Sequence, residues 1–204
     1  NGAGKTTCFY IIAGLIKPDN GKVNIGKDDI TGYPVYERAR IGLGYLPQEM
    51  SIFKGLSVED NLLSIIETKE FDNHKRYQIL EDLLVEFNIT KIRSSLGITL
   101  SGGERRRVEI ARCIASNPTH ILLDEPFSGI DPIAIQDLKN LIGYLKQRKI
   151  GVLITDHNVK DTLDIVDRAY VLYDGKILLK GNPFEIKNDQ KVKNVYLGKS
   201  FSEY

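Results

Sequence analysis

Three short stretches of this chain carry residue types that handle phosphate. Asn1-Gly2-Ala3-Gly4-Lys5-Thr6-Thr7 is a glycine-rich turn that ends in a cation and two hydroxyls. Ile121-Leu122-Leu123-Asp124-Glu125-Pro126 is an apolar run that stops on two adjacent carboxylates. Leu100-Ser101-Gly102-Gly103-Glu104 sets a serine and two glycines ahead of a helical pattern. Glycines let backbone N–H groups converge on an anion at the start of a helix, where the dipole favours negative charge. With that cradle in place, Lys5 reaches the β- and γ-phosphates of a nucleoside triphosphate. The Thr6 hydroxyl then holds Mg²⁺ and Thr7 bonds the α-phosphate. The chemistry expected is triphosphate hydrolysis.

Two carboxylates side by side at a strand end repel each other unless a cation offsets them. Strand alternation points them to opposite faces, so they are expected to play different roles. Asp124 supports Mg²⁺ through water, and Glu125 accepts a proton from, or orients, the attacking water. Ser101 and Glu104 also spell a capping box. Capping alone does not call for Gly102 and Gly103, which lower helix propensity. They fit a helix start whose backbone must approach an anion closely.

The elements that must position these residues follow from periodicity. Residues 5–16 read as a helix closed by a turn over 17–21, followed by a strand at 22–25 and a short helix at 36–40. The segment 43–46 is an apolar strand stopping at Pro47-Gln48. Helical spacing then dominates: Val58, Leu62, Ile65 and Ile66 share one face, as do Ile79, Leu83, Leu84 and Phe87. Strand and helix alternate again over 121–123, 133–147, 152–155 and 159–165, and a hairpin turns at Asp174-Gly175 before a helical tail. Alternation of this kind predicts an α/β fold, a parallel sheet covered by helices with an inserted helical subdomain, and the glycine loop makes the core resemble the P-loop (RecA-like) type. The core takes 1–57 and 119–204, and the helical subdomain takes 58–118. The phosphate-loop pattern asks for a Gly two positions before Asn1 and a strand feeding the loop, so the chain reads as an N-terminally truncated fragment.

Composition narrows the class. Of 204 residues, 42% are hydrophobic and 27% charged, ordinary for a well-cored α/β protein. A net charge of +1 gives no reason to invoke nucleic acid. The apolar run 9–16 is far short of the roughly 20 residues of a membrane helix, and no secretory or lipidation signal is present. Cys8 and Cys113 lack metal-ligand spacing and are expected to be buried free thiols in a reducing compartment. His74 and His120 read as structural or solvated.

The order of these motifs resembles the ATP-binding subunit of ABC transporters over essentially the whole chain. That resemblance implies a head-to-tail homodimer sandwiching two ATP molecules between one copy's phosphate loop and its partner's signature helix. Lys5 and Ser101 of one chain then serve different nucleotides. Gln48 matches the glutamine loop that senses Mg²⁺ and the γ-phosphate, and His157 matches the switch histidine. Ser128-Gly129-Ile130-Asp131 matches the loop crossing the dimer interface, bringing Asp131 to the nucleotide. Within the family, 46–49, 51–53, 100–112, 154–159 and 195–201 are most similar to the ATPase subunit of the lipopolysaccharide exporter. The likeness implies a pair of transmembrane permease subunits, docked at a groove containing Phe53 and Lys54. It also implies a cytoplasmic location on the inner face of the inner membrane. The family usually carries arginine where Lys54 and Gly55 stand, which removes a planar fork from the groove.

Three other readings compete. The ATPase subunit of a branched-chain amino-acid importer is close in sequence, although Asp156-His157-Asn158-Val159 favours the exporter. A non-catalytic ABC module would not need Gln48, Glu125 and His157 together. A DNA-repair or translation ABC protein would carry a coiled-coil insert or tandem ATPase halves.

Overall fold

The computed structural model describes residues 2–193. Asn1 of the phosphate loop, and the 195–201 stretch used in the family likeness, lie outside the described residues. Helix α1 (Lys5–Ala13) starts at Gly4, whose φ of 92° is left-handed, and ends at Gly14, whose φ of 85° is left-handed too. A Cβ at Gly14 would lie 2.8 Å from the Arg38 Nε, so the close approach and the backbone both require glycine. This is why the helix stops at Ala13 rather than running to Ile16, as its apolar pattern suggests.

Strands β1 (Asn24–Ile25) and β2 (Asp28–Asp29) form a short antiparallel pair, so only half of the expected 22–25 strand is paired. Helix α2 (Val35–Arg40) follows and sends Arg38 inward. Arg38 is 2% exposed and donates to the carbonyls of Ile11 at 2.6 Å, Ile12 at 2.7 Å, Tyr33 at 2.9 Å and Thr31 at 3.0 Å. A cation at the last carbonyls of α1 satisfies orphan acceptors and complements the helix dipole.

Strand β3 (Leu43–Leu46), helices α3 (Val58–Ile66), α4 (Asn73–Glu86) and α5 (Gly102–Ala115), strand β4 (His120–Asp124), helix α6 (Pro132–Gln147) and strand β5 (Gly151–Thr155) come next. The three strands form one parallel sheet in the order β3-β4-β5, with Leu46 opposite Leu123 and Asp124 opposite Thr155. Both faces of β4 are covered, so Ile121, Leu122 and Leu123 are all buried, as a central parallel strand requires. Helix α7 (Val159–Leu163) ends two residues earlier than its apolar spacing suggests.

Strands β6 (Ala169–Tyr173) and β7 (Lys176–Gly181) make the expected hairpin. Its turn residues Asp174 and Gly175 have φ of 48° and 69°, the pair of positive values that a two-residue hairpin favours. Helices α8 (Pro183–Asn188) and α9 (Gln190–Val192) close the described chain.

The main apolar cluster runs from Val58, Leu62 and Ile66 of α3, through Leu80, Leu83 and Leu84 of α4 and Val108, Ile110, Ala111 and Ile114 of α5, into Ile121 and Leu123 of β4 and Leu138, Ile142 and Leu145 of α6. A second cluster sets Phe9 and Ala13 of α1 against Leu43 and Leu122. These two clusters fix the phosphate-loop helix and the helical segment on the same sheet. Cys8 is exposed, contrary to the expectation of burial. Cys113 is half-buried, and burial pushes its thiol up to about 12. No helix among the described residues is long and apolar enough to cross a membrane.

Candidate functional site

The strand ends of the parallel sheet gather three side chains that are far apart in sequence. The Gln48 Nε2, just past β3, donates to the Glu125 Oε2 at 3.0 Å. The His157 Nδ1, just past β5, lies 3.2 Å from that same oxygen. The His157 contact is a hydrogen bond donated to the carboxylate when Nδ1 carries a proton. One carboxylate oxygen is therefore held from both sides by neighbours from the flanking strands, leaving Oε1 as the remaining acceptor.

Glu125 does not continue the strand. Its φ of 43° is left-handed, so strand alternation does not describe how it stands relative to Asp124. Its N–H still bonds the Thr155 carbonyl at 2.8 Å, and its carbonyl accepts the Ser128 N–H at 3.1 Å, forming a turn. The two carboxylates do separate in environment. Asp124 is 4% exposed and accepts the Thr155 hydroxyl at 2.5 Å. Burial, then the charge of Asp124, pushes the Tyr45 phenol up to about 12, which keeps it a neutral donor beside that carboxylate. Spacing alone did not mark Tyr45 or Thr155, because each belongs to a different strand.

Asp156 lies inside the stretch Asp156-His157-Asn158-Val159, yet nothing in its local sequence marks it as a site residue. Its side chain is fully buried. One oxygen accepts the Phe127 N–H at 3.0 Å and the other accepts the Asn158 N–H at 2.8 Å. It thereby joins the loop after Glu125 to the loop bearing His157.

The phosphate loop supplies the second component. Gly2 and Gly4 both have positive φ, at 85° and 92°, which opens backbone N–H groups at the start of α1. The first turn of α1 holds no acidic residue, and Thr6 and Thr7 are exposed while Ala3 and Lys5 are half-buried. Such a terminus suits an anion.

The third component is the start of α5. Ser101 caps it: Glu104 N–H donates to the Ser101 Oγ at 3.3 Å, and Ser101 N–H and hydroxyl both donate to the Glu104 Oε2, at 2.9 and 2.7 Å. These bonds hold the Glu104 carboxyl below its usual value. The two glycines now part company. A Cβ at Gly103 would meet the Ala134 Cβ of α6 at 3.2 Å, a packing reason for glycine. Gly102 meets nothing within 4 Å, so packing does not explain it. Ser101 bonds within its own helix and to none of Gln48, Glu125 and His157. Asp131 accepts the Ala134 N–H at 3.0 Å, capping α6.

Phe53 and Lys54 lie apart from this cluster and are exposed, Phe53 by 51%. The guanidinium of Arg112 sits 4.9 Å from the Phe53 ring centroid.

A parallel sheet with a glycine-bounded phosphate helix and carboxylates at its strand ends defines a P-loop nucleotide triphosphatase. Residues 1–128 match the family model described as ABC transporter, and the chain belongs to that family as an ATP-binding subunit, an ATPase coupled to transport. It is 53% identical over 202 residues to the lipopolysaccharide export system ATP-binding protein LptB of Haemophilus influenzae, spanning 98% of this chain and 84% of that protein. Against LptB of Escherichia coli the identity is 50% over 202 residues, with the same spans of 98% and 84%. Among solved structures, the ADP conformation of an ATP-binding cassette of an ABC transporter superposes with a TM-score of 0.83. That cassette is 29% identical, and the match covers 98% of this chain and 85% of the other.

Proposed function

We propose that this subunit hydrolyses ATP to drive lipopolysaccharide export through separate transmembrane subunits. The convergence of Gln48 and His157 on the Glu125 Oε2 carries the catalytic half of this reading. The cargo rests on the LptB relatives. Glu125, held through Oε2, offers Oε1 to the attacking water and takes or orients its proton as oxygen bonds to the γ-phosphorus and ADP leaves. Gly2, Ala3, Gly4, Lys5 and Thr7 cradle the triphosphate, and His157 contacts the γ-phosphate. The Thr6 hydroxyl and the Gln48 amide oxygen would hold Mg²⁺ as hard oxygen donors, with the Asp124 carboxylate supporting it through water. When bound, that ion neutralises charge on the phosphate oxygens. Ser101, Gly102, Gly103 and Asp131 face the nucleotide of a second copy, arranged head to tail.

The same reading divides the chain into a nucleotide-binding core, 1–57 with 119–204, and a helical subdomain, 58–118. Phe53 and Lys54 form the permease groove, and the subunit sits on the cytoplasmic side of the inner membrane. The test is affinity purification of the tagged full-length protein from solubilised membranes, with its depletion in parallel. Co-purification of a permease pair whose loss leaves lipopolysaccharide in the inner membrane supports the proposal. Recovery of an amino-acid permease pair, with lipopolysaccharide traffic unchanged, refutes the cargo.

A further inference from the structure

One face of α5 turns charged side chains inward: Arg106 and Glu109 are both buried. Arg105, Glu109 and Arg112 recur at four- and three-residue spacing, and each reaches the loop that follows Gln48. The Arg105 Nη1 contacts the Met50 sulfur at 2.6 Å, and its Nη2 donates to the Leu100 carbonyl at 2.9 Å. The Glu109 Oε1 accepts the Ser51 N–H at 2.8 Å, while its Oε2 pairs with the buried Arg106 at 3.0 Å. The Arg112 Nη2 donates to the Ser51 carbonyl, its Nη1 reaches the Asn61 Oδ1 at 3.5 Å, and its guanidinium lies over the Phe53 ring.

Asn61 completes the clasp from α3. It is fully buried, accepts the Phe53 N–H at 2.9 Å and donates to the carbonyls of Phe53 at 3.0 Å and Ser57 at 2.9 Å. Phe53 is thus fixed by its backbone through Asn61 and by its ring through Arg112. The ring is half-exposed, so apolar burial alone does not hold it. A cation over an aromatic face in a partly desolvated setting does.

We propose that Arg112 is a positioning residue that seats Phe53 and binds the glutamine loop to the signature helix. A membrane-subunit segment docked at Phe53 and a nucleotide facing Ser101 then act on one rigid unit. The docking half rests on the reading of Phe53 and Lys54 given above. The link from α5 to the loop stands on the contacts alone. Arginine is required because its fork spans the Ser51 carbonyl and Asn61 while its plane stacks on the ring, which lysine cannot do together.

These 204 residues contain no tryptophan, so Phe53→Trp introduces a reporter at the position in question. In the full-length Phe53→Trp protein, acrylamide quenching of Trp emission is measured with and without the Mg²⁺ complex of the β,γ-imido analogue of ATP. The nucleotide is expected to change the quenching constant, and Arg112→Met is expected to shrink that change about fivefold. It should also raise the nucleotide-free quenching. An unaltered response in Arg112→Met overturns the proposal. If that variant fails to melt cooperatively, Arg112→Lys decides: a response cut to about half supports the fork, and an intact one overturns it. Membrane pull-down of Phe53→Ala separates the two halves, because retained permease binding removes the docking half without touching the Trp response.

Discussion

Glu125→Gln isolates charge from shape at the centre of the site. Glutamine has the size of glutamate, and its amide oxygen can still accept the Gln48 N–H now found at 3.0 Å. What it lacks is a second acceptor oxygen with basicity, since the position of Oε1 becomes a donor or the two atoms exchange places. If Oε2 is the anchored atom and Oε1 the working one, the loss is that of a positioned general base. Such a loss is worth about 10²–10⁴ in rate, equal to about 3–5 kcal/mol of transition-state free energy at about 1.4 kcal/mol per tenfold. Ground-state binding should change little, because the proposed phosphate contacts belong to Gly2, Ala3, Gly4, Lys5 and Thr7. The assay is steady-state phosphate release by the full-length protein, alongside equilibrium binding of a fluorescent ATP analogue. The expected pattern is kcat reduced at least about a hundredfold with Kd within about threefold. Retention of parental kcat in this variant would show that the carboxylate convergence is architectural only.

Three further outcomes test separate features. Gly102→Ala, open to solvent, should leave the thermal midpoint unchanged or slightly raised while lowering ATPase activity. Gly103→Ala, whose Cβ would meet the Ala134 Cβ at 3.2 Å, should be less stable than Gly102→Ala, and equal effects on activity and melting at both positions would remove the special status of Gly102. Gly44→Ala places a Cβ 2.5 Å from the Cys113 sulfur and should cost about 1–3 kcal/mol in chemical denaturation. Adding Cys113→Ala should recover part of that loss, and strict additivity of the two changes would count against the contact.

The last concerns acid. Burial opposes ionisation of Asp164, but Lys139 and Lys187 outweigh it and hold the carboxyl below its ordinary 3.8. Its stabilisation is therefore fully present above about that value and is lost as pH falls through the lower folded value. Asp164→Asn should be less stable than the parent by up to about 1 kcal/mol at neutral pH, with the gap closing in acid. A gap that stays constant down to low pH would exclude the carboxylate as its source.

Much of the fold was legible because local signals agreed with the tertiary outcome. The 43–46 strand and the Asp174-Gly175 hairpin appear where alternation and turn chemistry put them. Errors arose where a distant residue intervened. Nothing local to 5–16 reveals that Arg38 will occupy the space beside Gly14 and end the helix there. Nothing in a strand pattern reveals that Glu125 turns left-handed. The meeting of Gln48 and His157 at Glu125 joins residues 77 and 32 positions apart, so local spacing could not supply it. Family likeness supplied a separate role for each of the three residues, not their contact. Asp156 shows the converse limit: its chemistry is invisible until the two loops it joins are seen together.

The burial of Arg38 divides the molecule by its response to ionic strength. Its guanidinium binds carbonyl oxygens away from solvent, so added electrolyte has little access to those bonds. The C-terminal region relies partly on exposed pairs, Lys187 with Asp164 and Lys146 with Asp167, which mobile ions weaken readily. Rising salt should therefore loosen α7 and α8 while α1 keeps its seat.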